Sequence, residues 1–102
     1  MQYFDSVGRR KEAVARVRLT PGTGKRIVNK RVLTEYLGRE NLAQLAELPL
    51  DIVNLSDNVD IHVNVNGGGI SGQAGAIQLG IARALIKYDK KLRPALKKKG
   101  LL

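Results

Sequence analysis

A run of glycines between an alternating segment and a helical segment is the feature that most limits how this chain can fold. Residues 59–65 alternate apolar and polar side chains, which predicts a strand, and a helix is predicted from the run to about Tyr88. The run reads Asn66-Gly67-Gly68-Gly69-Ile70-Ser71-Gly72-Gln73-Ala74-Gly75-Ala76. Its glycines allow a sharp turn and the close approach of another chain. Because a helix N-terminus offers unpaired N–H groups, we predict a turn that contacts a phosphate, either of a nucleotide or of a nucleic acid.

Other interpretations of the glycine run stay open on sequence grounds. Its spacing fits neither the Walker pattern, which needs a following Gly-Lys-Ser/Thr, nor the dinucleotide-binding pattern. A purely structural tight turn is the simplest alternative. The helix also carries a second stripe of small and polar residues, namely Gln73, Ala76, Gly80, Arg83 and Lys87. This stripe either forms a groove for a backbone or lets the helix pack closely on a sheet.

The distribution of charge indicates a polyanionic partner. The 102 residues include 18 Lys and Arg against 9 Asp and Glu, for a formal net charge of +9. Residues 1–39 hold ten basic and three acidic side chains, and residues 83–102 hold eight basic side chains and one acid. Residues 40–82 hold five acids and no Lys or Arg. Two basic arms around an acidic middle fit a nucleic acid better than an ordinary solvated surface does.

Several classes of protein are excluded by what the sequence lacks. Cysteine is absent, so there are no disulfides and no thiolate metal ligands. No apolar run approaches the roughly 20 residues that span a membrane. The first residues do not show the pattern of a signal peptide. We therefore expect no membrane partner.

The remaining periodicities predict one α+β domain over residues 1–102, with helices packed on a small mixed sheet. Further strands are expected at residues 3–7, 13–20 and 25–29. The last two of these are expected to pair as a hairpin through the turn Pro21-Gly22-Thr23-Gly24. The helices expected outside the glycine run cover residues 34–37, 40–48 and 94–99.

Capping and breaking residues set the expected ends of these helices. Thr34 is expected to cap the first helix and Gly38 to end it. Pro49 is expected to stop the second, which leaves residues 50–53 as a weak strand. Pro94 suits the first turn of the last helix, and Gly100 suits its end.

The candidate phosphate contacts are basic side chains and the residues of the glycine run. The basic candidates are Arg9, Arg10, Lys11, Arg16, Arg18, Lys25, Arg31, Arg83, Lys87, Lys97, Lys98 and Lys99. The candidates in the run are Gly67, Gly68, Gly69, Ser71, Gly72 and Gln73. Arginine favours bidentate phosphate contacts, although a charged outer face of a half-buried sheet is the structural alternative.

No catalytic residue, metal site or cofactor is predicted. His62 is the single histidine, and alternation places it on one face of its strand with Asp60 and Asn64. No nucleophile or second ligand lies at a useful spacing, so it is interpreted as a polar strand residue. The chain is therefore not expected to be an enzyme. A small nucleotide-binding phosphotransfer enzyme of similar fold is the alternative.

These motifs together resemble the bacterial type of the family of the ninth protein of the small ribosomal subunit. The segment from Gly67 to Ala76, continued by Gly80-Ile81-Ala82-Arg83-Ala84-Leu85, is similar to the signature of that family. Gly8-Arg9-Arg10-Lys11-Glu12-Ala13-Val14-Ala15-Arg16-Val17 is similar to its N-terminal motif. The resemblance runs from about Tyr3 to Leu102.

The resemblance carries expectations about fold and function. It implies a four-stranded mixed sheet with helices on one face and a left-handed βαβ crossover, shared with the second domain of another small-subunit protein. It implies a structural role in translation, on a cytoplasmic or organellar ribosome, with ribosomal RNA and neighbouring proteins of the subunit head as partners. Family members usually continue into a basic tail near the peptidyl-site transfer RNA. This sequence stops at Leu102, so we assign no transfer-RNA contact to its residues.

Overall fold

Alternating side chains set which face of the sheet is buried in the computed structural model, which describes residues 2–102. The strands are β1 (Phe4–Arg10), β2 (Ala13–Pro21), β3 (Arg26–Val28), β4 (Arg31–Val32) and β5 (Val59–Asn66). The helices are α1 (Leu33–Leu37), α2 (Glu40–Ile52), α3 (Ile70–Tyr88) and α4 (Arg93–Lys98), with a 3₁₀ turn at Lys90–Leu92. The predicted α+β class, with a mixed sheet and helices on one face, is confirmed.

The five strands lie in the order β1-β2-β5-β3-β4. Strand β5 pairs antiparallel with β2 and parallel with β3. The predicted number of strands was four, and the additional one is the two-residue edge strand β4, which pairs with β3. The left-handed crossover stays a prediction.

The core lies between the inward face of the sheet and the helices. Every second residue of β2 and β5 is buried, and α3 lies across them with its apolar face. The largest fully buried side chains of the core include Leu19, Ile61, Ile77, Ile81 and Leu85. Burying each such side chain contributes about 1.5–3 kcal/mol to stability. The contact of α3 with β2 and β5 therefore holds the glycine run and β1 in place.

Small residues bring α3 onto β1 at contact distance. A Cβ on Gly8 would clash with the carbonyl oxygen of Ala76, and a Cβ on Gly80 would lie 2.5 Å from Cγ2 of Val17. Ala76 and Gly80 are buried in this contact. These two members of the second stripe therefore serve helix–sheet packing, which was one of the two alternatives.

The predicted hairpin between β2 and the strand after it is wrong, because β5 lies between them. The carboxylate of Asp60 on β5 explains why β3 pairs with β5 and not with β2. Its Oδ1 accepts hydrogen bonds from the backbone N–H groups of Thr23, Gly24 and Lys25 at 2.9–3.0 Å. The loop therefore folds around β5, and the chain re-enters the sheet on the far side.

Pro49 does not stop α2, and residues 50–53 do not form a strand. Proline lacks the N–H that would bond to the carbonyl of Leu45, four residues earlier. The side-chain amide of Gln78 on α3 donates to that carbonyl oxygen at 2.7 Å instead. Because the carbonyl has a partner, α2 continues to Ile52 and buries Leu50.

The other helix ends lie within one residue of the expected positions, but the predicted cap of α1 is wrong. Thr34 does not cap α1, because it lies inside the helix and Val32 is the N-cap. Gly38 ends α1 in a left-handed conformation with φ of 70°. Helix α4 starts at Arg93, one residue earlier than predicted, and Gly100 follows it with φ of 74°.

Candidate nucleic-acid interface

The glycine run forms a tight turn between β5 and α3 that receives the protein's own β1–β2 turn. Gly67 and Gly68 have φ of +79° and +60°, a conformation that favours glycine. A Cβ on Gly67 would lie 2.5 Å from the carbonyl oxygen of Glu12, and one on Gly68 would lie 2.6 Å from that of Lys11. The backbone that approaches these two glycines on this side is therefore part of the same chain.

The β1–β2 turn directs basic side chains toward the start of α3. Lys11 and Glu12 have φ of 49° and 69°, as the two central residues of a type I′ turn require. The side chain of Arg10 crosses the helix where Gly75 has none, since a Cβ there would lie 2.5 Å from Cδ of Arg10. Gly72 makes similar room for Lys11. The packing thus brings the N-terminal basic cluster and the glycine run together, as a phosphate site requires.

The N-terminus of α3 has no side-chain cap. Its N-cap is Gly69, with φ of −96°, and no side chain bonds to the first N–H groups. A Cβ on Gly69 would have nothing within 4 Å, and Ser71 in the first turn is exposed. Uncapped N–H groups carry a partial positive charge, which adds to the charges of Arg10 and Lys11 beside them. We call Arg9–Lys11 and Gly67–Ser71 the turn end.

The basic side chains of the turn end have no acidic partner among the described residues. The salt bridges within residues 2–102 are made by Arg18, Arg26 and Arg31, none of which belongs to the basic cluster of the turn. Arg9, Arg10 and Lys11 are all exposed. Their charge is therefore available to a ligand.

Gln73 supports the glycine turn from inside the protein. Its Nε2 donates to the carbonyl oxygen of Gly67 at 3.1 Å, and its Oε1 accepts from the hydroxyl of Tyr36 at 2.7 Å. The Asn29 amide donates to the same hydroxyl and exchanges two 2.8 Å hydrogen bonds with the backbone of Val65. The amide nitrogen and the amide oxygen of Gln73 thus each make a hydrogen bond within the protein itself.

Arg83 and Lys87 bind the free edge of β1. Arg83 Nη1 donates to the carbonyl oxygen of Val7 at 2.9 Å, and Lys87 Nζ donates to that of Asp5. Unpaired carbonyls on an edge strand attract other strands, so these two side chains protect the edge. We call Asp5, Val7, Arg18, Arg83 and Lys87 the β1 edge.

Arg18 is also engaged within the β1 edge. Its guanidinium makes a two-point contact with Asp5, at 2.8 and 2.9 Å, and lies 3.9 Å from the ring centroid of Tyr3. The hydrogen bond from Arg18 holds the pKa of Asp5 below its ordinary value. The charge of Arg18 is therefore largely neutralised by Asp5, which lies 13 residues away in the sequence.

Three further groups of basic candidates lie beside an acid or away from the turn end. Lys25 lies in the loop around Asp60, and its backbone N–H is the main reason that the pKa of Asp60 is lowered. Arg31 lies 3.7 Å from Glu35. The cluster 97–99 follows the far end of α3, whose 19 residues span roughly 28 Å. The structure thus separates Lys25 and the cluster 97–99 from the turn end.

Arg26, which follows Lys25 in the sequence, is an arginine whose side chain is only 8% exposed. Its Nε donates to Glu47 Oε1 at 2.9 Å, and its Nη1 donates to the carbonyl oxygen of Val59 at 2.8 Å. Alternation with the buried Val28 is the signal that could have identified it, because residues two apart on a strand share a face.

Clusters of metal ligands and membrane-spanning helices are both absent from residues 2–102. No group of three or more His, Asp or Glu side chains there is placed to hold a metal ion. None of the described helices is both long and apolar enough to cross a membrane.

A comparison with protein families agrees with the fold and with the two motifs at the turn end. The model of the family described as ribosomal protein S9/S16 matches residues 8–102. The match includes the basic cluster, the glycine run and the whole of α3. The chain therefore belongs to the ribosomal protein S9/S16 family, and it is a structural protein of the small ribosomal subunit.

Proposed function

We propose that the protein binds ribosomal RNA in the head of the small subunit and that the turn end is its principal contact. The observation that carries this proposal is the position of Arg10 and Lys11, exposed and without acidic partners, beside the uncapped start of α3. A phosphate there gains backbone N–H donors, the helix dipole and charge-assisted hydrogen bonds at once.

The fold makes this contact rigid. The type I′ turn and the glycine turn contact each other, and Gln73 fixes the second of them to α3. Donors that are held in place lose little conformational entropy when RNA binds. Contacts to phosphates position the protein without reading bases, which suits recognition of a folded RNA by shape.

The function is structural and non-enzymatic in this proposal, and the protein acts on a cytoplasmic ribosome beside other proteins of the subunit head. The nucleotide-binding alternative has no observation that favours it over RNA. The inner side of the glycine turn faces carbonyl oxygens of Lys11 and Glu12. Carbonyl oxygens repel a phosphate, so that side does not suit a nucleotide.

The direct test is binding to a transcript of the small-subunit head, with an unrelated structured RNA of equal length as the control. We expect tighter binding to the head transcript, measured by filter binding at several salt concentrations. The affinity should fall with salt with a slope of roughly 0.7–0.9 per neutralised phosphate. Equal binding of the two RNAs would contradict the specific claim.

Substitutions at two adjacent glycines distinguish a role in RNA contact from a role in the conformation of the turn. In Gly69→Ala the methyl group enters open space, so we expect weaker RNA binding and a stability loss below about 1 kcal/mol. Gly68→Ala is the matched control, because its φ of +60° and the carbonyl of Lys11 make the substitution destabilising. If Gly69→Ala changes neither property, RNA does not approach the start of α3 closely.

A further inference from the structure

The face of the sheet opposite the helices is uncovered and carries a groove of about 1000 Å³. Outward residues of three adjacent strands line it, together with Arg83 and Lys87 at the edge of β1. We call Asp5, Val7, Arg16, Arg18, His62 and Asn64 the open sheet face.

The strand register gathers the polar members of this face into two neighbouring rows. Arg16 is paired with Val7 on one side and Asn64 on the other. Arg18 is paired in the same way with Asp5 and His62. Paired residues are about 4.5–5.5 Å apart at Cα, and rows on one face follow each other at roughly 7 Å. A ligand that extends along β2 and β5 can therefore contact both rows.

Three side chains in these rows have no partner in the described part of the protein. No hydrogen bond or salt bridge there engages the side chain of Arg16, His62 or Asn64, and all three are exposed. The two acids on this face are already engaged, since Asp5 bonds to Arg18 and Asp60 bonds to the loop at Lys25. The groove is therefore cationic, with donors that nothing in the fold uses.

We propose that the open sheet face is a second RNA subsite, in which Arg16 binds a phosphate and Asn64 and His62 contact ribose hydroxyl groups. Ribose hydroxyls both donate and accept hydrogen bonds, as the amide of Asn64 and a neutral imidazole do. The turn end continues onto this face. Arg9, which belongs to the turn end, also points outward on β1, two residues after Val7 and therefore in the adjacent row. The inference rests on the proposed function and extends its RNA contact over about three rows of the sheet.

The test compares charge removal on this face with charge removal elsewhere. Arg16→Ala should lower the affinity for the head transcript about five- to tenfold and reduce the salt slope by roughly 0.7–0.9, as for one lost phosphate contact. Arg39→Ala is the matched control, since Arg39 is an exposed arginine at the start of α2 on the helical side. It should change the affinity less than twofold.

The double variant His62→Ala/Asn64→Ala tests the ribose contacts at pH 7.5. It should lower the affinity for RNA about threefold, leave the salt slope unchanged, and reduce the preference for RNA over DNA of the same sequence. An Arg16→Ala variant that behaves like Arg39→Ala, or a double variant with full RNA preference, overturns the inference. If variants of the turn end still lose affinity in that case, the proposed function stands without the second subsite.

The absence of cysteine allows a position-specific measurement. Thr20 lies on the outward side of β2, paired with Asp60, and Gln44 is exposed on α2. A photo-crosslinker on Thr20→Cys should react with the head transcript, whereas one on Gln44→Cys should not. Equal crosslinking from both positions, or crosslinking from Gln44→Cys alone, contradicts an RNA occupant on the open sheet face.

Discussion

The turn end and the β1 edge both present basic side chains at the surface, yet the two regions use them differently. At the turn end Arg10 and Lys11 have no acidic partner within residues 2–102 and lie beside uncapped N–H groups of α3. At the β1 edge Arg83 and Lys87 bond to backbone carbonyls, and Arg18 bonds to Asp5. The comparison teaches that a count of cations overstates the surface offered to RNA, because some of them complete the fold.

The largest effect is expected where strand β1, which carries the β1 edge, packs closely against α3. Gly8→Ala places a methyl group against the backbone of α3 at Ala76, so β1 and the helix must separate. We expect a loss of about 3 kcal/mol or more in the free energy of unfolding, measured by urea denaturation. Gly69→Ala, which adds the same methyl group in open space, is the control. A loss below 1 kcal/mol in Gly8→Ala would contradict the close contact.

The next effect concerns RNA affinity and addresses the comparison directly. The double variant Arg10→Ala/Lys11→Ala should weaken binding to the head transcript about ten- to a hundredfold, because two charge-assisted contacts are lost. Arg83→Ala/Lys87→Ala removes the same number of charges and should weaken binding less than threefold. Similar losses in the two variants would show that Arg83 and Lys87 bind RNA rather than only the carbonyls of β1, and would end the distinction.

The same Arg83→Ala/Lys87→Ala variant should show its main effect in stability. The carbonyls of Asp5 and Val7 lose their protein donors, but water can replace them because both sites are exposed. We expect a loss of about 1 kcal/mol in total by thermal or chemical denaturation. A more sensitive readout is faster hydrogen exchange of β1, and unchanged exchange there would argue against edge protection.

The smallest effect follows from the pair of Asp5 and Arg18. The pKa of Asp5 is lowered by the hydrogen bond from Arg18, so the pair stabilises the folded state above the ordinary Asp pKa of about 4. This contribution is lost as the pH falls through the lowered pKa. Asp5→Asn should remove that part of the pH dependence of unfolding, with a small loss of stability at pH 7 and little change below the lowered pKa. It should also release Arg18 and raise RNA affinity slightly, whereas a decrease would contradict the assignment.

Local patterns predicted most elements correctly because those patterns are strong. The alternation over residues 59–65 and the helical period up to Tyr88 both reflect burial of one face of an element. The errors arose where a distant residue changes the local rule. Asp60 draws the loop at Lys25 across β5, and Gln78 supplies the donor that Pro49 lacks.

In the candidate site, too, features set by local sequence were predicted, and features set by distant contacts were not. The basic cluster at Arg10 and Lys11 and the glycine run were both selected from the sequence, and they contact each other in the fold. The internal roles of Gln73 and of Arg83 were not predictable, because their partners are backbone carbonyls six and 76 residues away. Backbone carbonyls have no sequence signal of their own, so such pairs appear only when the chain is folded.

By itself the sequence determined the excess and placement of positive charge, the main strands and helices, and the motifs of the S9/S16 family, because each of these depends on residue type and spacing alone. Only the tertiary structure decided the order of the strands, which glycines serve packing, and which cations remain available for RNA. Each of those properties depends on contacts between residues far apart in the chain, where one hydrogen bond or one methyl group decides the outcome.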